Sequence, residues 1–136
     1  MNFYEPGPGE IVAEITVPDH FQGYPGIVHG GIVSTMLDET IGRSQMGDDL
    51  NRFMVTAQLS IRYRKPVPTG QPLRILGHAG TRRGRVANAT GEIFGPDGTL
   101  LAQADAVLVD MPEGALQGID ADLLGWKIYP DEEATL

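Results

Sequence analysis

The sequence predicts an α+β protein in which one long helix packs against an antiparallel sheet. The chain has 136 residues, 41% of them hydrophobic and 21% charged, which suits a single globular domain. Its apolar pattern gives one strand, then one helix, then four strands in succession. Because strands follow one another without intervening helices, the sheet is expected to be antiparallel rather than built from alternating parallel units.

The first two elements show the two periodicities expected of an α+β protein, alternation along a strand and helical spacing along a helix. Residues 10–17 are predicted to form a strand, since Ile11, Ala13, Ile15 and Val17 alternate along it. Residues 18–28 are predicted to form a loop that contains the turn dipeptide Pro25–Gly26. The helix is predicted over residues 30–46, where apolar residues recur at helical spacing: Ile32, Val33, Met36, Leu37 and Ile41.

The clearest alternation lies in residues 53–64, which predict a long strand with one buried face. Phe53, Val55, Ala57, Leu59, Ile61 and Tyr63 are predicted on that face, and Met54, Thr56 and the other intervening residues on a polar face. Further strands are predicted at 73–81, 85–94 and 99–110. Residues 1–111 are expected to form one domain and residues 112–136 a tail with a short helix near 120–126. One helix cannot cover such a sheet, so a second subunit is expected on the remaining surface.

Composition excludes several classes of function. The net charge of −8 disfavours binding to nucleic acids or to anionic membranes. No apolar run approaches the roughly 20 residues of a membrane helix, and the first residues lack the features of a secretory signal, so a cytoplasmic protein is expected. The chain has no cysteine, and His20, His29 and His78 fall on different predicted elements. A metal site is therefore not expected.

The residues His29, Gly30 and Gly31 directly precede and open the predicted helix. Two glycines leave bare backbone N–H groups at the positive end of the helix dipole, where an oxyanion or a carbonyl oxygen would be stabilised. The alternative is a flexible lead into the helix. The segment matches neither GxxxxGK[ST] nor GxGxxG after a strand, so it is not a phosphate-binding loop.

Asp38 lies nine residues after His29, on the side of the predicted helix away from the apolar stripe. An acid at such a position is ordinarily solvated, and the same applies to Glu39. If that polar side meets another subunit, Asp38 becomes partly buried and suits the work of a general base or a nucleophile.

A basic hairpin tip is formed by Arg82, Arg83, Gly84 and Arg85 in an otherwise acidic protein. Solvation and protection of strand edges would explain it. The functional alternative is a clamp for the phosphates of a nucleotide-like ligand.

Two segments carry a family resemblance. FQGYPGIVHGGIVSTMLDETIG (residues 21–42) and VTAQLSIRYRKPVPTG (residues 55–70) resemble the hotdog-fold acyl-CoA thioesterases, in particular those of phenylacetate degradation and the thioesterase superfamily members. The resemblance covers roughly residues 10–111. It implies a hotdog fold, one long helix wrapped by a five- to six-stranded antiparallel sheet. It also implies hydrolysis of an acyl-CoA, with no cofactor beyond the CoA of the substrate.

The resemblance implies a role for each matched residue. Gly30 corresponds to the oxyanion-hole amide, Gly31 permits the same close approach, and Asp38 corresponds to the catalytic carboxylate. Thr56 would orient the attacking water, and His29 would order the loop and the substrate carbonyl. Glu39 is grouped with the substrate-binding residues, as are Arg82, Arg83, Gly84 and Arg85, which would meet the nucleotide part of CoA.

The resemblance also implies sites between two subunits, with Asp38 and Thr56 supplied by different chains. The expected assembly is a homodimer that assembles further into a homotetramer. The position six residues before His29, Asn in some relatives, is Gly23 here, which leaves open how the loop aligns the substrate. Two alternatives to hydrolysis remain: a non-catalytic acyl-CoA-binding module and a hydratase or dehydratase acting on acyl thioesters. General-base and covalent mechanisms are not separated by the sequence.

Overall fold

One α-helix lies against a six-stranded antiparallel sheet in a computed structural model, which describes residues 1–47, 49, 52–120 and 123. In chain order the elements are β1 (Asn2–Gly7), β2 (Glu10–Thr16), α1 (Gly30–Ser44), β3 (Met54–Tyr63), β4 (Pro72–Arg83), β5 (Val86–Phe94) and β6 (Leu100–Asp110). The strands are ordered β1-β2-β4-β5-β6-β3 across the sheet, and each neighbouring pair is antiparallel. The predicted α+β architecture is confirmed.

The structure has one strand and one helix end that differ clearly from the prediction, and the ends of the predicted strands move by one or two residues. The sequence pattern does not indicate β1, which pairs with β2 through a turn at Gly9, where the backbone φ is +73°. Its Pro6 and Gly7 obscure any alternation. The helix ends at Ser44 rather than at residue 46, and Gly47 with φ of +53° turns the chain away.

The helix packs unusually close to the middle of the sheet because two strand positions lack a side chain. A Cβ added at Gly77 of β4 would lie 2.7 Å from the backbone oxygen of Thr40, and one at Gly91 of β5 would lie 2.8 Å from the side chain of Ile41. The helix buries one face there, formed by Val33, Met36, Leu37, Thr40, Ile41 and Ser44. The close approach fixes how α1 sits over the sheet and therefore where its polar side chains point.

The alternation predicted for β3 is wrong at its start, because a β-bulge shifts the register. Thr56 pairs with Leu108 of β6, whereas Gln58 pairs with Val107, so Ala57 is the extra residue. Paired residues share a face of the sheet, and Leu108 is fully buried. Thr56 therefore faces the helix, not the polar side. Beyond the bulge, Leu59 packs against the core as predicted.

The same shift exchanges the two residues at the start of β3. Met54, predicted on the polar face, packs against the core. Val55, predicted on the buried face, is 47% exposed. One inserted residue is enough for this reversal because the side-chain period of a strand is two.

In the part of the chain that the structure describes, no helix is long and apolar enough to cross a membrane. After β6, residues 113–118 form turns. The short helix predicted near 120–126 lies, except for residues 120 and 123, outside the described residues.

Candidate active site

The N-terminus of α1 is capped by the side chain of His29. Its Nδ1 accepts a hydrogen bond from the Gly31 N–H at 2.9 Å, so the neutral ring carries its proton on Nε2 in this geometry. The His29 N–H donates to the carbonyl oxygen of Phe21 at 3.0 Å, which ties the preceding loop to the cap. His29 therefore orders the loop and the start of the helix, and its role toward a substrate stays a prediction.

The two glycines differ in what their N–H groups do. The Gly31 N–H is used by His29, and a Cβ at Gly31 would lie 3.1 Å from the ring Nδ1. Gly31 therefore permits a close approach of the His29 ring rather than of a ligand. Among the described residues, none accepts a hydrogen bond from the Gly30 N–H. Gly30 alone of the pair offers a free donor at the positive end of the helix dipole.

Tyr63, at the end of β3, contacts the same turn of the helix. Its hydroxyl donates to the carbonyl oxygen of Gly30 at 2.8 Å and lies 3.1 Å from the hydroxyl of Ser34. Ser34 also donates to the Gly30 carbonyl oxygen, at 3.0 Å. Sequence reasoning placed Tyr63 on the correct face but gave it no role, since alternation does not reveal which helical turn a strand residue meets.

An open cleft of about 650 Å³ lies in front of this turn. Its lining residues include His29, Gly30, Val33, Tyr24 and Lys65. Its lining is mostly apolar apart from these few polar groups, as in ordinary small-molecule sites.

Asp38 is half-buried on the polar side of α1, next to the start of β3. The Thr56 hydroxyl donates to its Oδ1 at 2.6 Å. Both residues belong to one chain, which corrects the expectation that different chains supply them. The correction follows from the bulge at Ala57, which turns Thr56 toward the helix. The second carboxylate oxygen, Oδ2, has no hydrogen-bond partner among the described residues.

Glu39 points elsewhere. Its Oε1 accepts from Arg43 Nη2 at 2.7 Å and from Arg43 Nε at 3.0 Å, and the Arg43 guanidinium lies 4.0 Å from the centre of the Phe3 ring. The structure brings Glu39 into an exposed ion pair beside β1, not into the cleft. Its place among the substrate-binding residues stays a prediction.

The basic tip joins β4 to β5, where Gly84 has φ of +56°. Arg82 is half-buried and forms an ion pair with Asp110, and Arg85 donates to the Asp110 carbonyl oxygen at 3.0 Å. Arg83 is exposed and has no partner among the described residues. Of the three arginines predicted to meet phosphates, Arg83 is the one whose guanidinium is uncommitted within the chain.

The tip lies near the Asp38 end of β3, not near Gly30. Arg82 Nη1 lies 4.0 Å from the sulfur of Met54, the first residue of β3. Thr56 follows two residues later and reaches Asp38, whereas Tyr63 at the far end reaches Gly30. The strand therefore links the basic tip, the carboxylate and the helix N-terminus in that order.

The sequence model of the thioesterase superfamily matches residues 25–102, more than half of the chain. The chain belongs to the thioesterase superfamily. The matched range includes the end of the loop before α1, the whole helix, and the site residues from His29 to Arg85.

One relative of this thioesterase superfamily chain has a name that fits the same family. Acyl-coenzyme A thioesterase THEM4 of Rattus norvegicus is 38% identical over 66 residues, which are 48% of this chain and 27% of that protein. The chain thus spans about a quarter of the length of that relative.

Two solved structures show the same fold. The PaaI protein of the E. coli phenylacetic acid degradation operon superimposes with a TM-score of 0.75 at 14% identity, over 82% of this chain and 79% of that one. A Streptococcus mutans protein bound to acetyl-CoA gives a TM-score of 0.73 at 23% identity, over 82% and 90% of the two chains. The expected hotdog fold and the thioesterase resemblance are confirmed.

Proposed function

We propose that the chain is an acyl-CoA thioesterase, which hydrolyses the thioester bond of an acyl-CoA to a free acid and CoA. The observation that carries the proposal is the presence of two complementary groups on one helix. These are the unpartnered Gly30 N–H in an open cleft and the Asp38 carboxylate held by Thr56. Membership of the thioesterase superfamily, the names of the relatives and the acetyl-CoA bound to a structural neighbour support the same reaction.

Gly30 would stabilise the charge that develops on the thioester oxygen. Its N–H lies at the positive end of α1 and has no competing acceptor among the described residues. A donor of this kind contributes about 10²–10³ in rate. His29 lines the same cleft, and its Nε2–H would be a second donor.

Asp38 would either activate the attacking water or attack the thioester directly. Because Thr56 donates its proton to Oδ1, the Thr56 oxygen retains lone pairs that accept from a water molecule, and Oδ2 is left to take a proton from it. Direct attack of Oδ2 on the carbonyl carbon, with formation of an anhydride, uses the same geometry. Neither route requires a metal or redox cofactor.

One chain does not bring these two groups to one thioester. Asp38 is eight residues beyond Gly30 on α1, a separation of roughly 12 Å along the helix axis at 1.5 Å per residue. β3 is an edge strand in the described sheet, bonded only to β6, and its remaining edge is available for a second copy. We therefore place the site between Gly30 of one subunit and the Asp38–Thr56 pair of another, in a homodimer that assembles further into a tetramer.

The reaction is tested by the release of free thiol from a panel of short-chain, medium-chain, long-chain and aromatic acyl-CoAs. Turnover of at least one of them, without added metal, is the expected result. Calorimetric binding of an acyl-CoA without thiol release would overturn the proposal in favour of a binding module. Hydration or dehydration of an enoyl- or hydroxyacyl-CoA without thiol release would overturn it in favour of a hydratase.

A further inference from the structure

The first turn of α1 needs support from outside the helix if the Gly30 N–H is to be held in one direction. Glycine loses more conformational freedom on folding than any other residue, and each glycine in a helix costs about 1 kcal/mol relative to alanine. Gly30 and Gly31 occupy the first two positions of α1 in succession. The two glycines therefore give this turn a low intrinsic helix propensity.

Tyr63 provides that support from β3. Its hydroxyl donates to the Gly30 carbonyl oxygen at 2.8 Å, and the Ser34 hydroxyl lies within 3.1 Å of both oxygens. Each hydroxyl has one proton, so both donate to the carbonyl, or Ser34 donates to Tyr63, which donates onward, or Tyr63 donates to Ser34, which donates onward. The separation between Tyr63 and the carbonyl oxygen, 2.8 Å, is the shortest of the three and favours the arrangements in which Tyr63 donates directly to the Gly30–Gly31 peptide. The ring is 52% exposed, so apolar burial alone does not explain its position.

The same peptide group continues the chain of hydrogen bonds to His29. Donation to the Gly30 carbonyl polarises the peptide, whose N–H belongs to Gly31 and donates to His29 Nδ1 at 2.9 Å. Successive hydrogen bonds of this kind strengthen one another. The ring is thereby held with Nδ1 as acceptor and Nε2 as donor.

We propose that Tyr63 is a positioning residue for the oxyanion site. Through the Gly30 carbonyl it orders the glycine turn that presents the Gly30 N–H, and it fixes the tautomer and direction of the His29 ring. In this role Tyr63 acts through the Gly30 carbonyl rather than on the reacting atoms, although its side chain also lines the cleft. The expected kinetic effect rests on the proposed thioesterase function, whereas the chain of hydrogen bonds does not depend on it.

The test compares Tyr63→Phe with Tyr4→Phe as a matched control. Tyr4 lies on β1 at the opposite edge of the sheet and is 51% exposed, nearly the same as Tyr63. Loss of the Tyr63 hydroxyl should lower kcat about three- to tenfold, the equivalent of one hydrogen bond, with KM changed less than about twofold. Tyr4→Phe should change neither.

A second readout does not depend on activity. Ring ¹⁵N shifts of His29 should show the Nε2–H tautomer in the native protein and a mixture of tautomers in Tyr63→Phe, and the Gly31 amide proton should exchange faster in the variant. Unchanged His29 and Gly31 signals in a folded Tyr63→Phe protein would overturn the proposal. A raised KM with unchanged kcat would also overturn it, because Tyr63 would then contact the substrate. If the native protein hydrolyses no acyl-CoA, the proposed function fails, and the NMR signals alone decide on Tyr63.

Discussion

Thr56 and Tyr63 are seven residues apart on one strand, and both reach the helix. An uninterrupted strand would place residues at an odd separation on opposite faces. The bulge at Ala57 adds one residue, so Thr56 meets Asp38 while Tyr63 meets Gly30. Because of the bulge, one strand supplies a hydroxyl to Asp38 from Thr56 and a hydroxyl to Gly30 from Tyr63.

We expect Thr56→Ala to reduce kcat by roughly ten- to a hundredfold, because a hydrogen bond to a charged group is lost together with the water-orienting oxygen. Thr56→Ser keeps the hydroxyl and should retain most of the activity. Steady-state thiol release measures both variants. Equal activity of Thr56→Ala and the native protein would remove Thr56 from the mechanism.

The arginine tip predicts an effect on binding rather than on turnover. Charge reversal at Arg83, which has no partner among the described residues, should raise KM for acyl-CoA, leave kcat unchanged, and weaken the dependence of KM on salt. Arg85→Glu should act in the same direction, because among the described residues its guanidinium reaches only the backbone oxygen of Asp110.

Arg82 offers a contrast within the same tip. It is paired with Asp110, so Arg82→Gln should lower the stability of the protein more than it raises KM. Thermal unfolding and kinetics of the three variants separate these outcomes. An unchanged KM in both Arg83→Glu and Arg85→Glu would contradict the phosphate clamp.

Two glycine substitutions should change the free energy of unfolding in opposite directions. Gly77→Ala places a Cβ 2.7 Å from the backbone oxygen of Thr40, which forces α1 away from the sheet and should cost about 1–3 kcal/mol. Gly42→Ala lies within α1, where no described atom outside the helix's own neighbouring backbone comes within 4 Å of the added Cβ, and it should stabilise by about 0.5–1 kcal/mol. Urea unfolding measures both. Similar midpoints for the two variants would show that the close packing of helix on sheet is not a source of stability.

The exposed edge of β3 predicts self-association. Light scattering coupled to size exclusion should give a multiple of the 14.6 kDa chain mass. Ile61→Pro removes a backbone N–H that points to the free edge of β3 rather than to β6, and it adds a ring there. In a variant that stays folded by circular dichroism, it should shift the protein toward monomer and abolish activity. A native monomer with full activity would contradict a site shared between two subunits.

The sequence predicted the helix and five of the six strands, because strong periodicity reports on them directly. The assignment of Gly30 and Asp38 to the site rests on a specific motif and stays a prediction. The sequence did not predict the bulge at Ala57, since an inserted residue leaves the letters of an alternating strand unchanged and alters only the register with β6. For the same reason it placed Thr56 on the wrong face. The hydrogen bond from Tyr63 to Gly30 depends on how α1 is set against β3, a tertiary relationship without a local signal.

The most direct test of the account is the turnover number of Asp38→Asn beside that of Glu39→Gln. The two residues are adjacent on α1, and Glu39 is engaged with Arg43 while Asp38 is held by Thr56. Asp38→Asn should lower kcat by about 10²–10⁴-fold while an acyl-CoA still binds, because the amide keeps the shape of the side chain but cannot accept the proton. Glu39→Gln should leave kcat nearly unchanged. Loss of turnover in Glu39→Gln with activity retained in Asp38→Asn would contradict the assignment of Asp38 as the catalytic carboxylate.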